Sequence, residues 1–274
     1  ERQLLNWLGQ PFDRVVQRRL PQAGSSMGMM LEAPVHAPQF NLDGYVLNGE
    51  LTVLGVVDAV MYPGTQAFMR FDYPSRLNTE AVAQATDVAR RFLQAVGFTH
   101  GAFNMEFFHD EAHARVKVIE VNPRLASQFS DLYERVDGIN LHEVALALAH
   151  GRDPADLPRR SATAGATSSF VYRSFDAASA LRLPDGSAQA RLLDRFPDAL
   201  LMPYAKSRAD ARRDYKWLGS CRHAILHLGG RDAADLQQRC EVASRLLGWP
   251  APYAHHQPVR SPSGGELSPD LCTL

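Results

Sequence analysis

The sequence contains no apolar run of about 18 residues, the length a membrane-spanning helix needs, and no leader pattern of basic residues followed by an apolar core. Cysteine is scarce. Cys221, Cys240 and Cys272 are odd in number and far apart, which argues against a disulfide framework and a cysteine-rich zinc site. Net charge is missing too: 29 Lys and Arg face 30 Asp and Glu, for a formal charge of −1. Doublets such as Arg18–Arg19, Arg159–Arg160 and Arg212–Arg213 are isolated and read as solvated surface, not as a basic stripe for nucleic acid or membrane. Lysine is absent from the first part of the chain, the first being Lys117. A cytoplasmic protein without a nucleic-acid or membrane partner is expected, with a homodimer compatible.

What is present is an ordinary globular composition, 45% apolar and 22% charged, in a chain of 274 residues long enough for a sizeable core. Leu4 to Leu20 recur at helical spacing up to Pro21. "FNLDGYVLNGELTVLGVVDAVMY" alternates on both sides of Asn48–Gly49, a strong hairpin signal. Thr79 is expected to cap a helix running to about Val96, with Val82, Ala85, Val88, Ala89 and Phe92 inward and Gly97 as its stop. "GAFNMEFF" and "RVKVIEVN" read as strands, "GINLHEVALALAHG" as a helix, and Asp232 to Leu247 as a helix capped by Asp232. Helices mixed with antiparallel hairpins, without a βαβ rhythm, indicate an α+β fold.

The chemistry concentrates in "KVIEVNPRLASQ". Strand alternation puts Val116, Val118, Glu120 and Asn122 on one face. If the hairpin is centred on residue 113, with Glu111 to Arg115 as its turn, Glu106 stands across from Glu120. Like charges so placed destabilise a sheet, and a divalent cation between them would resolve the conflict. Carboxylate and amide oxygens suit Mg²⁺ or Mn²⁺, and the planar fork of Arg124 suits phosphate or carboxylate. Spacing alone leaves a second reading open, in which both acids face water on an edge and Arg124 is a surface ion-pair partner. "HDEAH" (His109–His113) has a zinc-like spacing but lies in the expected turn, and "AGSSMG" reads as a plain loop.

The segment "GAFNMEFF…VKVIEVNPRLASQ…DGINL" resembles the ATP-grasp superfamily, which includes biotin carboxylase, carbamoyl-phosphate synthetase and the amino-acid ligases. The resemblance implies that Glu106, Glu120 and Asn122 hold Mg²⁺ (or Mn²⁺) and that Arg124 steadies the transferred phosphate. Upstream, "MMLEAPVHAPQF" is similar to the family's adenine-binding hinge, which makes Glu32, Ala33, Val35 and Gln39 the nucleotide contacts. Gln39 replaces a ribose-binding Glu of the family, and Asp43 is read as structural. The implied activity is ATP-dependent ligation of a small-molecule carboxylate, through an acyl phosphate, to an amine or similar nucleophile. Bicarbonate activation, a non-catalytic nucleotide-sensing module and an α+β interaction domain are the alternatives.

The resemblance also implies an architecture: an ATP-grasp C-terminal lobe, an antiparallel sheet with packed helices, over residues 1–151, then a small C-terminal α+β lobe over 168–249. The Pro/Ala/Ser-rich stretch from Arg152 to Thr167 is the expected boundary, and 250–274 the expected disordered tail. The family's phosphate-binding lysine and glycine-rich lid precede the hinge, and neither is present here. The 274 residues are therefore expected to be the C-terminal portion of a longer enzyme and not to turn over ATP by themselves.

Overall fold

The computed structural model describes residues 35–175, 184–204, 211, 214–215 and 219–253. The described residues from 36 onward belong to the larger of two compact units. The strands of the larger unit are β1 (Gln39–Leu47), β2 (Glu50–Met61), β3 (Phe68–Tyr73), β4 (Gly101–Asp110), β5 (Arg115–Asn122), β6 (Ala166–Ser174), β7 (Leu200–Pro203) and β8 (Cys221–Gly230). All eight join in one sheet of order β5-β4-β1-β2-β3-β6-β8-β7, antiparallel at every described pairing. The helices are α1 (Thr79–Ala95), α2 (Ser130–Asp137), α3 (Leu141–Ala149), α4 (Gly186–Arg195) and α5 (Ala233–Leu247).

The Asn48–Gly49 signal is answered by a two-residue turn with both residues at positive φ, 52° and 87°, which Leu47 and Glu50 close as a pair. Asn78, not Thr79, caps α1, its side chain accepting from the Ala81 amide at 2.8 Å. Ala81, Ala85, Ala89 and Leu93 form the buried stripe, while Phe92 is 43% exposed. The stripe is rotated from the expected one because α1 packs against Phe40, Phe103 and Phe107, and alanines let it approach such a face closely. Asp232 caps α5 through the Asp235 amide at 2.9 Å.

The sheet is covered on both faces. α1 lies under β1, β2 and β4, and α4 and α5 lie under β6 and β8 on that same face. The opposite face packs α2 and α3 through Val57, Phe71, Leu132, Tyr133 and Leu141. The stretch expected to separate two lobes does not interrupt the sheet. It delivers the chain to β6, which pairs with β3 from Arg70↔Phe170 to Tyr73↔Thr167. Nor does order stop at Pro250: Tyr253 packs on Phe170 with ring centroids 5.5 Å apart, and Arg70 lies 4.2 Å over its ring. Residues 254–274, and the helical pattern of 4–20, lie outside the described residues. No helix among the described residues is long and apolar enough to cross a membrane.

Candidate functional site

The site is built on β1, β4 and β5, on the face opposite α1. Phe40, Leu42, Phe103, Met105 and Phe107 point into the α1 core, so alternation turns Gln39, Asn41, Asp43, Asn104 and Glu106 the other way. The register places Asn41 beside Glu106 and Asp43 beside Asn104. On the far side of β4, Glu106 pairs with Glu120 and Asn104 with Asn122. The expected carboxylate pair is therefore formed.

It is formed by a different route from the one read off the spacing. Asp110 pairs with Arg115, the turn is Glu111 to Ala114, and the register shifts by one residue between Glu106 and Phe107. Ile119 is the extra residue of this β-bulge. Val116 and Val121, an odd number of residues apart, both pack in the α1 core, which a regular strand does not allow. Val116 and Val118 thus lie on the opposite face from Glu120 and Asn122, against expectation. The bulge, not simple alternation, brings an apolar strand start and a polar strand end to their proper sides.

Hydrogen bonds tie the face together. Gln39 Nε2 donates to Glu106 Oε2 at 2.9 Å, and Asn122 Nδ2 to Glu120 Oε1 at 2.8 Å. Asn104 Nδ2 donates to Asp43 Oδ1 at 3.1 Å and to Asn41 Oδ1 at 3.4 Å. Tyr133 of α2 donates to Asp43 Oδ2 at 2.9 Å. Burial, then the like charge of Glu120, raises the Glu106 pKa, while the Arg124 charge opposes the shift. Burial pushes Asp43 up to about 7 despite hydrogen bonds from Tyr133 and Asn104.

Glu106, Asn41 and Asn104 line a cavity of about 320 Å³ whose other wall carries Arg124, Arg173 and Arg222. Arg173 of β6 donates to the Phe68 carbonyl and to Ser220 Oγ, both at 3.2 Å. Burial and then the charge of Arg222 lower its pKa. Spacing singles out neither Arg173 nor Arg222. The available signal is a charged residue on a strand otherwise reading "SSFVY", but only the β3–β6 pairing carries it to the site. Gln39, read as a nucleotide contact, is tied to Glu106, and Arg124, exposed, donates to the Leu125 carbonyl at 3.2 Å. Glu32 and Ala33 lie outside the described residues, and Val35 is the first described one.

The donor set suits a hard divalent cation: two carboxylates and an amide, all oxygen, with the acids paired at an energetic cost that a cation removes. Among the described residues no group of three or more His, Cys, Asp or Glu is placed to hold a metal. A site here rests on Glu106, Glu120 and the Asn122 amide, a set small enough to need ligand oxygens as well.

Residues 49–156 match the family model of the carbamoyl-phosphate synthase L chain, ATP binding domain. The uncharacterized protein y4rH of Sinorhizobium fredii is 32% identical over 153 residues, 54% of this chain and 30% of that protein. Among solved structures, the L-amino acid ligase of Bacillus licheniformis aligns over 77% of this chain and 52% of its own, with a TM-score of 0.57 and 13% identity. The N5-carboxyaminoimidazole ribonucleotide synthetase of Thermus thermophilus aligns over 84% and 56%, with a TM-score of 0.55 and 19% identity. A biotin carboxylase–ATP-analogue complex of Campylobacter jejuni aligns over 87% and 51%, with a TM-score of 0.55 and 16% identity. The chain spans about half the length of these solved relatives and less of the curated one. Residues 49–156 thus match that family's ATP binding domain, and the described residues share the fold of these solved relatives, in keeping with the resemblance to the ATP-grasp superfamily.

Proposed function

We propose that the protein is an ATP- and Mg²⁺-dependent ligase that activates a small-molecule carboxylate as an acyl phosphate and passes it to an amine or similar nucleophile. The observation that carries this reading is the cavity lined by Glu106, which pairs with Glu120 on the neighbouring strand, and by Arg124, Arg173 and Arg222. An acidic wall alone suits a cation and a basic wall alone suits an anion. Both together suit a cation–phosphate–carboxylate assembly, and the solved relatives include a ligase and an enzyme crystallised with an ATP analogue.

In this reading Glu106, Glu120 and Asn122 hold Mg²⁺, which when bound offsets negative charge on the phosphates. Gln39 orients Glu106, its amide donating to one carboxylate oxygen and leaving the other for the cation. Arg124 stabilises the transferred group as charge moves onto it. Arg173, held by the Phe68 carbonyl and Ser220, has its orientation set before any ligand arrives, and an anionic substrate relieves its repulsion with Arg222.

The test uses the full-length protein with Mg²⁺, ATP, hydroxylamine and a panel of carboxylic acids. Hydroxamate and ADP are expected to form together with at least one acid. Glu120→Gln should lower that rate by about tenfold to a hundredfold, the range for weakening a metal site. Arg124→Lys should lower turnover more than nucleotide affinity, because Lys keeps the charge but loses the fork. Acid-dependent ADP release that persists at full rate in Glu120→Gln would remove the metal role from this pair.

A further inference from the structure

A second cavity, about 450 Å³, lies beside the first between α2, β7 and β8. The two share Ser127, Gln128 and Arg222 as lining, so a ligand in one borders the other. The volume is that of a small-molecule site. Its polar groups divide by charge. The Arg222 guanidinium lies 4.5 Å from the Tyr204 ring centroid and makes no ion pair among the described residues.

Asp131 stands one helical turn on from Gln128. Its Oδ2 is 2.8 Å from Arg135 Nε and 3.2 Å from His227 Nδ1. Burial works to raise its pKa, but the hydrogen bonds from His227 and Arg135 prevail and lower it, which keeps it charged. Its Oδ1 takes no hydrogen bond among the described residues. His227 is 3% exposed, lines the cavity, and has an Nε2 with no partner among them. If His227 served only to pin α2 to β8, Nδ1 would be explained and Nε2 would not. An orphaned buried nitrogen costs about 1–3 kcal/mol. A ligand N–H satisfies it.

We propose that this second cavity binds the nucleophile and that the nucleophile is an α-amino acid, its carboxylate on Arg222, its amino group on Asp131 and His227, and its side chain among Leu200, Met202 and Ile225. This rests on the ligase reading above. Within this cavity a simple amine offers Arg222 no counter-charge, and a simple acid leaves the Asp131 and His227 acceptors without a donor. The zwitterion satisfies both.

The experiment screens the common α-amino acids against the full-length protein with Mg²⁺ and ADP by saturation-transfer NMR, with ethylamine and acetate as half-ligands. At least one α-amino acid is expected to bind about tenfold or more tightly than either half-ligand, since each half-ligand forgoes a charge-assisted contact. Asp131→Asn and Arg222→Gln should each weaken it by about tenfold or more. Should Asp131→Asn fail to fold, Arg222→Gln carries the test, because the Arg222 side chain makes no hydrogen bond or ion pair among the described residues that the fold would lose. Ethylamine binding as tightly as every amino acid, or wild-type affinity in the folded variants, overturns the proposal. Hydroxylamine separates the two levels, being too small to need the cavity. Hydroxamate without amino-acid binding sinks this inference alone, and absence of hydroxamate sinks the ligase reading beneath it.

Discussion

Asp43 is a carboxyl with almost no route to water, 2% exposed, and it holds two donors, Asn104 and Tyr133. Burial nonetheless wins over those hydrogen bonds and sets its pKa at about 7, against an ordinary value of 3.8. A carboxyl raised on folding binds its proton more tightly in the native state than in the unfolded chain. Stability therefore falls as pH rises from the unfolded value to the folded one, and the loss is complete above about 7. The shift corresponds to about 4 kcal/mol at most. Asp43→Asn removes the titration and keeps the shape. Urea unfolding of both proteins from pH 4 to pH 8 should show wild type losing ground to the variant by a few kcal/mol. A gap that stays constant with pH would mean that Asp43 is ionised in the fold throughout, with its donors outweighing burial. The structural role that the sequence suggests for Asp43 agrees with its contacts, but burial and partner count are not visible in a strand sequence.

The β4–β5 hairpin shows what an element hides from its sequence. The pairing of Glu106 with Glu120 is legible, because hairpin symmetry about residue 113 fits the site end. The same symmetry misplaces the turn by half a residue and inverts the faces of Val116 and Val118, because nothing in "VKVIEV" marks Ile119 as extra. A bulge made with Gly leaves a trace in the sequence, whereas an exposed Ile, 43% accessible here, leaves none. The caps at Asn78, Asn140 and Asp232 are near-legible by residue type, since each side chain accepts an orphan helix amide. The bulge has a testable consequence. Deleting Ile119 leaves Val118 opposite Phe107 and brings Glu120 opposite Glu106 in a regular ladder, with every face unchanged. The deletion should cost about 1 kcal/mol or less, the scale of an exposed position, and keep the cross-strand NOE between residues 106 and 120. Loss of that NOE in a folded deletion variant would show that the bend of the bulge, not its residue count, sets the acid pair.

At the scale of the molecule, composition and pattern are enough for α+β, and the "KVIEVNPRLASQ" segment for the family resemblance, but neither for how the halves join. A polar, proline-bearing connector looks the same whether it links two lobes or two neighbouring strands, and pairing between β3 and β6, about a hundred residues apart, has no local signature. The join carries weight in both packing and function. Val171 and Ile225 share a core with Val57, Phe71 and Tyr133. Ser168 Oγ donates to Asp72 Oδ1 at 2.7 Å, and the cavity's basic wall takes Arg173 and Arg222 from beyond the connector while its acidic wall comes from before it. A site split across the join needs the join to be stable whenever the site is. Residues 36–253 should therefore unfold as one cooperative unit. Native-state hydrogen exchange at rising urea tests this, with amides of β1, β4, β6 and β8 expected to merge into a single opening of common free energy and common urea dependence. If β6 and β8 exchange out at lower urea while β1 and β4 stay protected, the connector is a true boundary. Cutting the chain after Gly151 distinguishes the cases again. In a single cooperative unit the cut bares the β3 edge together with Phe71 and Tyr73, so the shortened chain should lose its cooperative transition and aggregate.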